Sequence, residues 1–146
     1  MGNTLNIDNS KNSNLGLLIL RVGIGVLFFV FGWQKIAGGE QVWTGVGSAM
    51  SFIGISAWPT FWGLLATIAE FAGGLLLIFG LFTRFAALSL VLTMIVATIM
   101  KVASGGGLME FYSPLTMLLV NIFFLLHGGG VYSLDNYLRS RRQLAA

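Results

Sequence analysis

The sequence predicts an all-α integral membrane protein: a four-helix bundle threaded up-down-up-down, with an amphipathic interfacial segment between the first two helices. Two observations carry this. Of the 146 residues, 56% are hydrophobic and 9% charged, whereas soluble domains carry about 25% charged residues. The apolar residues also gather into four runs, residues 15–37, 60–82, 85–103 and 111–127, each close to the roughly 20 residues that a helix needs to cross a bilayer. A length near 150 residues fits one domain, here residues 15–138 between a polar tail, 1–14, and a basic one, 139–146.

The run from Leu15 to Ala37 follows "MGNTLNIDNSKNSN", a polar stretch that reads as frayed. It is longer than the roughly 7 to 15 residues of a signal-peptide core, so it is expected to remain as the first span. Gly2 is present, but Asn6 stands where a myristoylation signal has Ser or Thr. The link to the second run, "GGEQVWTGVGSAMSFIGISAWP", is only partly polar. Trp43, Val46, Met50 and Ile53 recur at offsets of 3, 7 and 10, one face of a short helix expected to lie at the interface and cap the bundle.

Spans two and three are joined by "LFTR" and must be antiparallel neighbours. "ASGGGLME" makes a similar hairpin of spans three and four, and "GGGVYSLD" stops the last span before an amphipathic tail. Lys11, Arg84, Arg139, Arg141 and Arg142 fall on one side, against Lys35 and Lys101 on the other. The excess of cations predicts that both termini are cytoplasmic.

Composition also excludes chemistry. There is no Cys, hence no thiolate metal site, disulfide or cysteine nucleophile. The single His127 cannot supply a bis-His haem, and without Cys it makes a poor zinc site, so neither metal nor haem is expected. The pI near 9.7 reflects a basic tail rather than a nucleic-acid surface. "GGGVYSLD" lacks the spacing of a phosphate loop, and no Ser, His and Asp combine into a triad. Any redox role depends on a cofactor or partner.

The informative residues are the polar ones inside the apolar runs. Arg21, Gly25, Phe28, Gly32 and Lys35 lie at offsets 0, 4, 7, 11 and 14, one helix face. In "FWGLLATIAEFAGGLLLIFG" Glu70 is the lone ionisable group, flanked by Gly63, Ala66, Gly73 and Gly74. Small residues around a charge mark a face turned toward protein, and a carboxylate at mid-depth costs roughly 2.5 to 3.5 kcal/mol. Arg21 is the expected partner of Glu70, either as a structural ion pair between two helices or as the lining of a site for a polar or redox-active molecule. A carboxyl alone in hydrocarbon stays protonated and one beside a guanidinium ionises, so Glu70 could relay protons to a quinone. Gln34 and Lys35 are expected at the far interface next to Trp33, Asn121 in an interhelical hydrogen bond, and Lys101 as an interface anchor.

"LRVGIGVLFFVFGWQKIAGG", "AEFAGGLLLIFGLFTRFAALSL" and "GGGVYSLDNYL" together resemble the DoxX family of small bacterial membrane proteins, in order and spacing from Leu17 to Leu138. The resemblance implies a four-helix inner-membrane protein related to a subunit of a thiosulfate:quinone oxidoreductase, with sulfur or oxidative-stress partners in some members. It places motif positions at Arg21, Gly32, Gln34, Lys35, Glu70, Gly73, Gly74, Gly80, Arg84, Tyr132, Ser133 and Asp135. Many relatives carry His where this chain has Phe31, and another near the end of the third span, where this chain reads "IMKVASGG".

The reading that follows is a bacterial inner-membrane subunit of a quinone-linked redox system, not catalytic alone. Glu70 would relay protons, Arg21, Gln34, Lys35 and Asn121 would contact a quinone or similar amphipathic ligand, and Trp33, Trp62 and Phe28 would supply stacking surface. The partners expected are the lipid bilayer and a soluble or membrane redox protein. Two alternatives remain: a scaffold docking a partner or lipid through its basic tail, and a small-molecule transporter, which with four helices would have to be a homo-oligomer.

Overall fold

The computed structural model describes residues 2–144, with side chains from 11 to 143. Of the two predicted tails, residues 1, 145 and 146 lie outside the described residues. Five α-helices account for the fold: α1 Gly2–Gly47, α2 Pro59–Phe79, α3 Thr83–Ala103, α4 Leu108–His127 and α5 Leu134–Leu144. Four of them, α1 to α4, are long and apolar enough to cross a membrane, and no strand occurs among the described residues.

The largest departure from expectation is α1. It starts at Gly2, within the stretch expected to fray, and resumes after a break at Gly39 (φ 67°, ψ −159°) to end at Gly47. Residues 40–47, part of the segment expected to cap the bundle from the interface, pack backbone to backbone along the first turns of α2. A side chain on Gly47 would overlap Pro59, and one on Gly63 would overlap the Trp43 carbonyl. The Thr44 and Thr60 hydroxyls are 2.7 Å apart, and the Trp43 indole N–H donates to the Lys35 carbonyl at 2.9 Å, bridging the break. Only Ser48–Ile53, a 3₁₀ turn ended by Gly54 in the left-handed region (φ 87°), is left as a cap.

The seam between α1 and α2 therefore extends from Gly25 to Gly47. A Cβ on Gly25 would come within 2.8 Å of the Gly74 carbonyl, and one on Gly32 would collide with the Phe71 backbone. Such contact is open only to glycine and is how helices gain dispersion energy in lipid, where no hydrophobic drive joins them. The remaining helices pack more loosely. α3 lies against α2 and α4, but α4 barely touches α1. Leu77, Leu90, Phe124 and Ala87 form the fully buried centre, with Phe28 and Met94 beside it.

Short turns fix the hairpins. Gly80 closes α2 in the left-handed region (φ 66°), with its N–H on the Leu77 carbonyl at 3.1 Å and that of Leu81 on Leu76 at 3.0 Å. Phe82 then enters α3 at φ 47°, a conformation costly for a bulky residue. It is held there by Asp135, whose Oδ1 accepts from the Phe82 N–H at 2.8 Å and Oδ2 from the Thr83 N–H at 2.9 Å. A residue at the start of α5 thus caps α3 and fastens the two hairpins at one end.

Candidate functional site

Glu70 lies near the middle of α2, about 16 Å along the helix from Pro59 at roughly 1.5 Å per residue. Gly73 and Gly74 follow it, and the carboxylate is 2% exposed. The partner it meets is Lys35. The Lys35 ammonium donates to both carboxylate oxygens at 2.6 Å, while its own side chain is 26% exposed. Because the α1–α2 seam continues to Gly47, Lys35 sits at the depth of Glu70 and not at an interface.

The expected pairing of Arg21 with Glu70 is thereby overturned. Arg21 lies 14 residues before Lys35 on the same face, some 21 Å away along the helix at about 1.5 Å per residue, beyond the reach of its side chain. It is 1% exposed at the α5 end of the bundle, where its guanidinium donates to the Gly129 carbonyl and, at 2.8 Å, to that of Tyr132. A Cβ on Gly80 would stand 2.6 Å from an Arg21 nitrogen, so glycine is needed there for room as well as for φ. Arg21 thus holds the segment "GGGVY" that leads into α5.

The paired Lys35 and Glu70 face a cavity of about 290 Å³. From α1 come Phe28, Phe31, Gln34 and Lys35; α3 contributes Met94 and Ala97, and α4 Ser113, Pro114 and Met117. The cavity occupies the gap between α1 and α4, the two helices that hardly meet, with α2 and α3 behind it. Its mouth therefore lies between these two helices, beside the exposed residues Phe31, Gln34 and Ser113. Of the three N–H donors of an ammonium, Glu70 takes two, which leaves one for a ligand oxygen, and the Gln34 amide adds a donor and an acceptor.

Besides Arg21, three of the residues read as ligand contacts lie elsewhere. Trp33 is 56% exposed and packs against the Phe71 ring at 6.2 Å, outside the cavity. The Trp62 indole donates to the Ala57 carbonyl at 3.1 Å beside Phe61. Asn121 is fully buried, but its amide donates within α4, to the Met117 carbonyl at 2.7 Å, and not across helices; its Oδ1 has no partner. Lys101 approaches Glu110 at 3.9 Å near the ends of α3 and α4. Met94, Ala97, Ser113, Pro114 and Met117 escaped the sequence reading because apolar and small residues in a span look alike until their neighbours are known.

The DoxX family model matches residues 16–103. The chain belongs to the DoxX family. It is 32% identical over 131 residues to a Bacillus subtilis protein named "Putative oxidoreductase CatD", covering 88% of this chain and 91% of that one. It is 31% identical over 134 residues to the Escherichia coli inner membrane protein YqjF, covering 90% and 98% respectively. The Mycobacterium tuberculosis membrane protein Rv3486 is 33% identical over 138 residues, 86% of this chain and 82% of that protein. No solved structure matches.

The motif positions of this DoxX chain sort into three groups in space. Gly32, Gly73 and Gly74 make close helix contacts, Gln34, Lys35 and Glu70 line the cavity, and Arg21, Gly80, Tyr132, Ser133 and Asp135 form the clamp at the α5 end. Arg84 joins the third group by donating to the Leu126 carbonyl at 3.2 Å. Phe31 is a wall of the cavity.

Proposed function

We propose that this DoxX protein is the quinone-binding membrane subunit of an oxidoreductase system in the bacterial inner membrane. The observation that carries the reading is the Lys35–Glu70 pair at mid-depth beside the cavity between α1 and α4. An ion pair there is expensive to keep and stabilises no more than an apolar replacement would, so a chemical role accounts for it better than a structural one. The oxidoreductase name of CatD and the inner-membrane name of YqjF agree with it.

The cavity suits a quinone ring. Its volume is at the lower end of small-molecule sites, it is mostly apolar, and its polar groups converge from one side. A quinone supplies two-electron chemistry coupled to proton uptake, with the electrons delivered by a redox partner protein. In this chain Lys35 donates its free N–H to a ring oxygen and fixes that end of the ligand. Gln34 gives a second polar contact at the mouth, and Phe28 and Phe31 hold the ring faces. The Lys35 ammonium gives its proton to a reduced ring oxygen, and the Glu70 carboxylate, which accepts its other two N–H bonds, relays the replacement proton. Arg21, Trp33, Trp62 and Asn121 take no part in this arrangement. The excess of Lys and Arg at the α5 end supports a cytoplasmic location for it in this reading.

A second reading, a scaffold that docks through its tail, finds support in α5. That helix exposes Leu134, Tyr137 and Leu138 beside Arg139, Arg141 and Arg142, with Arg141 stacked 5.3 Å over Tyr137.

The deciding experiment is mass spectrometry of organic extracts from purified wild type and Glu70→Gln, at matched lipid content and thermal stability. Quinone retained by the wild type and lost from the variant is the expected result. No quinone in either would remove the redox reading and leave the pair as a helix lock.

A further inference from the structure

A second cavity, of about 210 Å³, lies in the same gap between α1 and α4 but at the α5 end. Its lining is stratified. Leu17, Leu20 and Phe123 form the deeper part, and Ser13, Asn14 and His127 the outer rim. The His127 ring stacks on Phe123 at 5.3 Å with an 11° tilt, so its polar edge stays at the rim. Lys11 precedes Asn14 by three residues on the same helix face. Arg84 is exposed over the last turn of α4 and has donors to spare after its bond to Leu126. No acidic side chain lines the cavity. Asp135, the acid nearest this end among the described side chains, spends both oxygens on the start of α3.

We propose that this groove binds one anionic phospholipid, its phosphate at the level of Lys11, Asn14 and His127 and an acyl chain along Leu17, Leu20 and Phe123. Three features of the site support that occupant. The apolar-to-polar order across a few ångströms matches a lipid at the boundary of the hydrocarbon. Lys11 and Arg84 bring positive charge to this end among the described side chains, and each Lys or Arg near an anionic headgroup contributes favourably. The protein leaves the α1–α4 gap unfilled, and at this depth the available filler is lipid. The inference is independent of quinone binding, because it uses no residue of the central cavity.

The test is native mass spectrometry of the full-length, delipidated protein incubated with equal amounts of phosphatidylglycerol and phosphatidylcholine. The phosphatidylglycerol adduct is expected to exceed the other about tenfold, roughly what one or two interfacial cations supply. Lys11→Gln/Arg84→Gln, which removes the cations beside the groove, should reduce the excess to near parity, and the triple variant Arg139→Gln/Arg141→Gln/Arg142→Gln should keep it. Leu20→Trp, which fills the groove without removing a polar group, should also abolish the adduct and covers the case in which the double variant fails to fold. Equal binding of both lipids would overturn the proposal, as would an excess that disappears with the tail arginines. Displacement by millimolar glycerol 1-phosphate would do so too, since it would assign the affinity to phosphate alone.

Discussion

Lys35 and Glu70 depend on each other, and single substitutions should be worse than a double one. Lys35→Met strands a buried carboxyl and is expected to lower the stability measured by thermal unfolding in detergent by up to about 3–5 kcal/mol, less if Glu70 takes up a proton. Lys35→Met/Glu70→Met replaces both charges with apolar groups of similar length. It should recover most of that loss and still bind no quinone, separating the fold from the site. Arg21→Leu makes the opposite prediction. It leaves the carbonyls of Gly129 and Tyr132 without their donor, so limited trypsin digestion should cut faster at Arg139 while the quinone content stays unchanged. A quinone loss equal to that of Glu70→Gln would mean that Arg21 belongs to the site after all. Glu70 was legible as the key residue because it is the lone acid in a span. Its partner was not, since hydropathy ends the first span near Ala37 and so assigns Lys35 to the interface. Both cations were visible on one face; choosing between them required knowing how far α1 continues beside α2.

At the scale of the helices, the α1–α2 seam and the α5 clamp can be probed by glycines and by one cap. Gly32→Ala forces a methyl into the Phe71 backbone and should cost about 1–3 kcal/mol or more, with α1 pushed away from α2. Gly23→Ala, where nothing lies within 4 Å, should gain roughly 0.5–1 kcal/mol from helix propensity alone. If both variants shift the midpoint of unfolding equally, the close approach of these helices is wrong. Asp135→Ala removes the acceptors that hold Phe82 and Thr83 and should cost about 0.5–2 kcal/mol, as helix caps do. The four spans were legible because each apolar run ends in a turn signal. The path of residues 38–53 was not. "GGEQ" reads as an exit from the membrane, whereas Gly39 breaks α1 for a single residue and the helix resumes against Gly63, a contact between backbones that leaves no trace in hydropathy.

For the molecule as a whole, the expectation to check is orientation. The natural sequence contains no Cys, so single-cysteine variants need no background removed. Ser140→Cys in α5 should react with a membrane-impermeant maleimide in inverted vesicles and be protected in intact cells. Ser104→Cys, between α3 and α4, should show the reverse. Matching accessibility of both positions from outside would contradict a membrane crossing by α4, the one long helix between them.

The backbone seam between α1 and α2 bears on how the protein enters its membrane. Released one at a time from the insertion machinery, α1 would carry a bare ammonium and α2 a bare carboxyl into lipid, each opposed by roughly 2.5–3.5 kcal/mol at mid-depth. Released together as a closed hairpin, with Lys35 already against Glu70, they carry no bare charge at mid-depth. Biogenesis then acquires an order: α1 must wait at the exit until α2 has been synthesised, and a ribosome paused between Gly39 and Pro59 would leave a charged helix stranded at the door.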